Sequence, residues 1–204
     1  VISVYMNDNE KSSFAGRKLF KPEPIEYPEF FRPGMGTENI GSFLRSLALI
    51  TNAKTILEVG AGYTTPFLSE AIEINSRHHG SSKDTQFKFV IIDDMSLGDL
   101  IQKPGMARIV ESPQVEVVQG LFQGKAQALA NRYGVFDLVW FDCGGHKEYQ
   151  EFFTEFSDLC SSYIACHYTH SYGKPNKNLE ALKAAISGKF QIFDIIEPHK
   201  TRQG

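Results

Sequence analysis

Six short apolar runs recur along the chain from residue 55 onward, and most of them are rich in valine, isoleucine and phenylalanine. They occupy Thr55–Val59, Phe87–Ile92, Val115–Val118, Phe136–Phe141, Tyr163–Cys166 and Phe190–Ile196. Strands that are buried on both faces give continuous apolar runs of this kind instead of strict alternation. The pattern therefore predicts a sheet whose strands are covered on both sides.

Stretches with apolar residues at helical spacing separate several of these runs, and one more precedes the first run. They occupy Glu38–Ile50, Pro66–Asn75, Lys125–Arg132, Glu148–Cys160 and Asn178–Ser187. Thr37 can cap the first of these helices. Alternation of strands and helices predicts a doubly wound α/β fold with a mostly parallel sheet and right-handed crossovers.

Residues 1–35 do not follow this alternation, and residues 36–204 form the predicted domain. The first segment contains Lys21-Pro22-Glu23-Pro24, in which proline disfavours helix. We expect an extended leader whose aromatic side chains cover a ligand pocket or form the contact of a homodimer. Within the domain, the polar residues 77–86 predict a surface loop, and Lys103-Pro104-Gly105 is expected to interrupt the helix after the second strand.

Charge and cysteine content narrow the range of partners. The chain has 204 residues, a net charge of −3 and three cysteines without CxxC spacing. It lacks the basic footprint that is typical of proteins binding nucleic acids or anionic membranes. The odd number of cysteines favours a reducing compartment, and no apolar run is long enough to span a bilayer. We expect a cytoplasmic protein that binds neither nucleic acid nor membranes.

The segment Glu58-Val59-Gly60-Ala61-Gly62 carries the most specific signal, because a buried strand runs directly into Gly-x-Gly. Thr65 and Pro66 then suit the cap and the first position of a helix. In an open parallel sheet, ligands bind at the carboxyl ends of strands, where glycines let a ligand approach the backbone. A dinucleotide fingerprint needs a third glycine where this chain has Thr65. Because Glu58 would also repel a pyrophosphate, the turn favours a cationic ligand.

The sequence Leu57-Glu58-Val59-Gly60-Ala61-Gly62 resembles the first motif of class I S-adenosylmethionine-dependent methyltransferases. The segment Gly36–Leu44 is similar to the lead-in helix of catechol-type small-molecule O-methyltransferases, and the resemblance extends from about Pro33 to Ile196. It implies a Rossmann-like fold, S-adenosylmethionine as cofactor, and methyl transfer to a small-molecule acceptor, with O-methylation favoured over N-methylation. The family's final antiparallel strand is missing here, so we expect it to come from beyond Gly204 or from another chain.

The resemblance also implies which residues contact the cofactor. Asp93, at the end of the second strand, is the expected partner of the ribose hydroxyls, and Asp94 is the alternative. Leu121 follows the third strand where many relatives carry an acid for the adenine amino group. Adenine recognition is then expected from backbone groups or Gln119, with Phe122 as a stacking face. The full expected set is Glu58, Gly60, Ala61, Gly62, Tyr63, Asp93, Asp94, Gly120, Leu121, Phe122 and Asp142.

Candidate catalytic groups lie just beyond the ends of two apolar runs, Phe136–Phe141 and Tyr163–Cys166. Asp142 closes a segment that resembles the family's fourth motif, and that acid is expected close to the methyl donor. His146 and His167 are the expected general bases, because histidine titrates near neutral pH. Methyl transfer from a sulfonium otherwise requires alignment of nucleophile, methyl group and sulfur.

The expected metal content follows from a departure from the family pattern. Catechol-type relatives bind magnesium through the acid at the Asp142 position and an Asp-Asn pair after the next strand. Cys166-His167 stands at the position of that pair, and these side chains do not suit magnesium. We therefore expect no metal, with a transition metal held by Asp142, His167 and His170 as the alternative. The Gly144-Gly145 pair is expected to leave room for the substrate.

Two other functions fit part of the pattern. A non-catalytic S-adenosylmethionine-binding domain would keep the fold, although the intact acids and glycines argue against it. A methyltransferase that acts on protein or nucleic acid would carry a basic groove or an Asn/Asp-Pro-Pro-Tyr/Phe motif, and the sequence has neither. An NAD-dependent oxidoreductase is disfavoured by Glu58 and Thr65.

Overall fold

The computed structural model describes residues 39–79, 86–103, 105–186 and 188–195, together with the backbone of residues 202–203. The predicted leader of residues 1–35 and the predicted cap Thr37 lie outside these ranges. Within them, no helix is long and apolar enough to cross a membrane.

Seven α-helices lie in the described part of the chain. They are α1 (Ile40–Ile50), α2 (Thr65–His79), α3 (Leu97–Gln102), α4 (Met106–Val110), α5 (Ala126–Tyr133), α6 (His146–Phe156) and α7 (Lys177–Ile186). A 3-10 turn, Ser157–Leu159, follows α6. The break between α3 and α4 confirms the interruption that Lys103-Pro104-Gly105 predicts.

A parallel five-stranded sheet forms the centre of the fold. Its strands are β1 (Thr55–Val59), β2 (Lys88–Asp93), β3 (Val115–Gln119), β4 (Phe136–Phe141) and β5 (Cys160–Cys166), in the order β3-β2-β1-β4-β5. The chain leaves β1 toward β2 and β3 and then crosses back to β4 on the other side of β1. This reversal is a topological switch point, so the carboxyl ends of β1 and β4 border the place where such sheets bind ligands.

Alternate residues of the central strands enter two separate apolar layers. Leu57, Val59 and Phe141 pack with α6 and α7 on one face, whereas Ile56 and Trp140 pack with α1 and α2 on the other. All five side chains are buried. Glu58 lies on the same face as Ile56, because side chains alternate along a strand. The fold prediction of a doubly wound α/β domain is confirmed for the described residues.

A small antiparallel sheet follows β5. Strand β6 (His170–Ser171) pairs with β7 (Lys174–Pro175) and with β8 (Arg202–Gln203). The hairpin between β6 and β7 carries Tyr172 and Gly173 at positive φ. This sheet places the start of α7 beside the carboxyl end of β5.

The predicted strand Phe190–Ile196 is wrong over the residues that the structure describes. Residues 190–195 form no strand. They line an apolar cavity of about 330 Å³ beside β5 instead, with Phe193 78% exposed. An apolar run therefore does not by itself indicate a place in the hydrogen-bonded ladder.

The boundaries of α2 and α6 also differ from the predictions. The helix predicted over Glu148–Cys160 begins two residues earlier, at His146, and Cys160 belongs to β5. The early start has a cause, since Glu148 reaches back and accepts a hydrogen bond from the Gly145 N–H at 2.8 Å. Residues 77–79 extend α2 and do not begin the predicted loop. Thr65 is the first helical residue of α2, and not the cap before it.

Candidate functional site

The turn after β1 is held against the ends of β2 and β4. The Gly60 N–H donates to the Ile92 carbonyl at 2.9 Å, and the Asp142 N–H donates to the Val59 carbonyl at 3.0 Å. Gly60 has φ of +94°, and a Cβ atom there would lie 2.7 Å from the Asp142 carbonyl oxygen. Only glycine fits this close approach of the two chain segments.

Beyond Gly60 the turn opens. The Gly62 N–H donates to the Thr65 hydroxyl at 2.8 Å. In the described part of the chain, no atom outside its immediate neighbours lies within 4 Å of the position that a Gly62 Cβ would take. The next residue, Tyr63, packs edge-on against Phe67 with ring centroids 5.3 Å apart. The turn therefore combines a rigid base at Gly60 with free space at Gly62.

Glu58 is fully buried below this turn. Its Oε1 accepts a hydrogen bond from the Thr64 hydroxyl at 2.6 Å, whereas its Oε2 has no partner among the described residues. Burial raises the pKa of Glu58 to about 8, the Thr64 and Thr65 hydroxyls lower it in part, and the carboxylates of Asp142 and Asp93 raise it further. Glu58, Asp93 and Asp142 thus form one acidic cluster, named here the carboxylate cluster.

Asp93 connects β2 to the glycine turn. Its Oδ2 accepts from the Ala61 N–H at 2.7 Å and its Oδ1 accepts from the Met95 N–H at 2.8 Å. Asp94 is exposed. The cap of α3 is Ser96, whose hydroxyl accepts a hydrogen bond from the Asp99 N–H at 3.1 Å.

The three expected cofactor residues that follow β3 have different surroundings in the structure. Gly120, at φ of +100°, donates its N–H to the Asp93 carbonyl at 2.7 Å. Leu121 is 65% exposed. Phe122 is only 3% exposed, and its ring contacts three others edge-on in the layer that contains Phe141. This packing gives Phe122 a structural role in the core.

Asp142 and His167 meet at the carboxyl ends of β4 and β5. His167 Nδ1 lies 3.0 Å from Asp142 Oδ1. When the Asp142 carboxylate is the acceptor of this bond, Nδ1 is the donor, and a neutral His167 then holds its lone pair on Nε2. His167 is 5% exposed, its ring stacks at 30° on Trp140, and Nε2 has no partner in the described ranges.

The other candidate base, His146, is placed apart from this pair. It is exposed at the first position of α6, and no hydrogen bond of the described structure joins it to Asp142. His170 is buried, and its Nδ1 lies 3.0 Å from the Thr169 hydroxyl. Of the histidines that the sequence singles out, only His167 is brought to Asp142.

The transition-metal alternative of Asp142, His167 and His170 is not assembled. Among the described residues, no three His, Cys, Asp or Glu side chains lie in an arrangement that could hold a metal ion. At the Gly144-Gly145 pair, a Cβ atom on Gly144 would lie 2.4 Å from Glu148 Cγ, whereas one on Gly145 would lie 3.7 Å from Glu148 Oε2. These glycines serve the turn into α6.

Two contributors to the site were missed by the sequence analysis. Thr64 supplies the hydroxyl on Glu58, and Lys103 Nζ donates to the Ala61 carbonyl at 3.4 Å. Thr64 could have been found from the sequence, because it is a hydroxyl residue in a Gly-x-Gly-x-Thr turn, six residues after the acid Glu58. Lys103 lies 42 positions from Ala61, and only the folded chain reveals that contact.

Comparisons with known proteins identify the fold. No protein-family profile matches the chain, and no curated protein matches it. Among solved structures, it is similar to an O-methyltransferase from Bacillus cereus in complex with SAH, with a TM-score of 0.57 and 19% identity over 76% of this chain and 70% of that one. It is also similar to TomG from Streptomyces achromogenes, an O-methyltransferase involved in tomaymycin synthesis, in complex with SAM. That match has a TM-score of 0.51 and 19% identity over 72% and 66% of the two chains.

A third likeness covers nearly the whole chain. The SAH-bound methyltransferase PaMTH1 from Podospora anserina matches with a TM-score of 0.53 and 17% identity, over 93% of this chain and 90% of that one. At such identities the likeness shows the fold. The chain therefore has the Rossmann-like α/β fold of class I methyltransferases.

Proposed function

We propose that this protein is an S-adenosylmethionine-dependent methyltransferase that transfers a methyl group to an oxygen of a small-molecule acceptor. The observation that carries the proposal is the carboxylate cluster of Glu58, Asp93 and Asp142 around the glycine turn, at the switch point of the sheet. The acidic groups favour a cation, and the turn leaves space above Gly62 for it.

The residues present fit the proposed cofactor. Glu58 Oε2 is a buried acceptor without a partner in the described structure, and such an atom is destabilising unless a ligand supplies a donor or a positive charge. S-adenosylmethionine carries both a sulfonium and an ammonium group. The second lone pairs of the Asp93 oxygens remain available for the ribose hydroxyls. Leu121 offers an exposed apolar side chain on the adenine side of the site.

When bound, S-adenosylmethionine supplies an activated methyl group, so that the acceptor oxygen forms the new O–C bond while the C–S bond breaks and its electron pair stays on sulfur. His167 takes the proton of the acceptor hydroxyl on Nε2. Asp142 holds the other ring nitrogen at 3.0 Å and stabilises the imidazolium that results.

Two considerations support a small acceptor. The solved structure of TomG belongs to an O-methyltransferase involved in tomaymycin synthesis, and the present chain shares its fold. The net charge of −3 does not favour a nucleic acid as acceptor. A cytoplasmic location and a homodimer stay predictions from the sequence.

The deciding experiment is calorimetric titration with S-adenosylmethionine, S-adenosylhomocysteine and adenosine. Both of the first two ligands carry the ammonium group, so Glu58→Gln should weaken each about 100-fold, which corresponds to about 2.8 kcal/mol. Adenosine lacks that group and should lose much less. Glu70→Gln is the matched control, because Glu70 is a partly buried acid of α2 that pairs with Arg45 and lies outside the carboxylate cluster.

The outcomes separate the alternatives. A folded wild-type protein that binds neither charged ligand would sink the proposal. Equal weakening by Glu58→Gln and Glu70→Gln would remove the specific role of Glu58. If both ligands bind but no labelled methyl group is transferred to any of a panel of small hydroxyl compounds, a non-catalytic domain is favoured. Transfer of the label to protein or nucleic acid instead would favour a methyltransferase that acts on those macromolecules.

A further inference from the structure

The residue after His167 has an unusual backbone conformation. Tyr168 has φ of +66°, in the left-handed region that side chains other than glycine disfavour. Its carbonyl oxygen accepts two side-chain hydrogen bonds, from Asn176 Nδ2 and from Asn178 Nδ2, each at 2.9 Å. A disfavoured conformation persists only when its surroundings fix it, and these two amides do so.

Both asparagines belong to the start of α7 and support each other. Asn176 Oδ1 accepts from the Asn178 N–H at 2.8 Å, which makes Asn176 the cap of the helix. The Asn176 N–H also donates to the Thr169 carbonyl at 3.0 Å. We name this arrangement of Asn176 and Asn178 on the Tyr168 carbonyl the amide latch.

The latch is anchored to a rigid element. Leu179, Leu182 and Ile186 of α7 are buried in the same apolar layer as α6. Asn178 itself is buried. The start of α7 is therefore a fixed point, and the Tyr168 carbonyl is tied to it.

We propose that Asn176 and Asn178 are positioning residues for His167. The backbone of His167 is held on one side by β4, through its N–H on the Phe141 carbonyl at 3.2 Å. On the other side the latch fixes the carbonyl of Tyr168, the residue that directly follows His167. With both sides held, the imidazole is aligned on Asp142 with Nε2 free. The inference rests on the proposed function for its meaning in catalysis, but the alignment itself can be measured without any turnover.

The test is NMR of the protein with ¹⁵N-labelled histidine. In the wild type, the His167 Nδ1 proton should resonate downfield and exchange slowly, as expected for a buried N–H on a carboxylate. Asn178→Asp and Asn176→Asp each replace one donor of the latch with an acceptor of the same size. We expect at least tenfold faster exchange of the His167 proton in each, and more in the double variant. Asn178→Ala removes the donor without adding charge and should act in the same direction.

Asn75→Asp is the matched control. Asn75 is also a buried asparagine whose amide bridges two carbonyls, those of Ala48 and Ala53, each at 3.0 Å. Its variant should lower the thermal midpoint as much as the latch variants do, while leaving the His167 proton unchanged. Unchanged exchange in Asn176→Asp, Asn178→Asp and Asn178→Ala would overturn the inference, and so would an equal change in Asn75→Asp.

Titration with S-adenosylhomocysteine keeps the two proposals apart. The latch variants should bind it within about twofold of the wild type, because the carboxylate cluster is intact in them. A wild type that fails to bind it would contradict the proposed function and leave the His167 measurement valid. A wild type that binds it, with His167 unaffected in the latch variants, would contradict the positioning role alone.

Discussion

Two acids at opposite ends of the same sheet show how hydrogen bonding separates a structural role from a functional one. Asp137, at the amino end of β4, is surrounded by donors, with Oδ2 accepting from the N–H groups of Lys54 at 2.7 Å and Thr55 at 3.1 Å. Its Oδ1 accepts from the Ser161 hydroxyl at 3.2 Å. Glu58, near the carboxyl end of β1, has one hydroxyl donor and one oxygen without a partner in the described structure.

The difference lies in what each carboxylate contributes to the folded state. Asp137 ties β1, β4 and β5 together, and its charge is stabilised by the groups around it. Glu58 is buried at a net disadvantage in free energy, which its raised pKa expresses. An acid that destabilises the empty protein is consistent with one that is retained for a ligand.

The largest expected effect is on the pH dependence of stability at Glu58. Its pKa rises from 4.5 in the unfolded chain to about 8 in the folded one. The folded state therefore retains the proton while the unfolded state loses it, so stability is fully present below pH 4.5 and falls as the pH rises toward 8. Glu58→Gln should remove this fall and exceed the wild type by up to about 5 kcal/mol at pH 9.

Urea denaturation at pH 4 and pH 9 measures that difference, with Glu70→Gln as the control. The contrast between Glu58 and Asp137 would be contradicted if Glu58→Gln were less stable than the wild type at pH 9. It would also be contradicted if the difference in free energy of unfolding between this variant and the wild type were the same at both pH values.

A smaller effect of opposite sign is expected at the other end of the sheet. Asp137→Asn removes the charge that two backbone N–H groups share, and should destabilise the protein by about 2 kcal/mol at pH 7. Its affinity for S-adenosylhomocysteine should stay within about twofold of the wild type. Urea denaturation and calorimetry on the same sample give both numbers. A large loss of affinity with little loss of stability would reverse the roles assigned to the two acids.

The smallest expected effect concerns the hydroxyl on Glu58. Thr64→Val keeps the shape of the side chain and removes its hydrogen bond to Oε1, so that Oε1, like Oε2, is left without a described donor. We expect a loss of about 1 kcal/mol in urea denaturation at pH 7. Ser96→Ala provides a hydroxyl control distant from Glu58. If Thr64→Val gained stability, the hydroxyl would not be supporting the buried acid.

The sequence predicted the parts of the fold that depend on continuous burial. The runs at Thr55–Val59 and Phe136–Phe141 match β1 and β4 at both ends, because most residues of these central strands are apolar. At the edge of the sheet, an apolar run is neither necessary nor sufficient for a strand. Cys160-Ser161-Ser162 are polar or small and yet belong to β5, whereas the apolar residues 190–195 do not form a strand. Edge positions combine exposure with pairing, so hydrophobicity alone does not assign them.

The sequence predicts where the candidate site lies better than it predicts which side chains contact each other within it. Asp142 and His167 end neighbouring parallel strands, so their meeting follows from topology. The hydrogen bond from the Thr64 hydroxyl to Glu58 Oε1 depends on the side-chain rotamers of both residues, which no sequence pattern specifies. Phe122 was predicted as a stacking face because aromatic rings suit bases, but its neighbours Phe141, Phe152 and Phe156 surround the ring in the core.

The raised pKa of Glu58 also links occupancy of the site to hydrogen ions in the surrounding solution. A carboxyl group that is protonated in the empty protein at neutral pH must ionise to pair with a cation, so uptake of a positively charged ligand is coupled to proton release. Below pH 8 the same ligand concentration then fills fewer molecules as the solution becomes more acidic. A buried side chain that never contacts the solvent would in this way make the protein responsive to acidity.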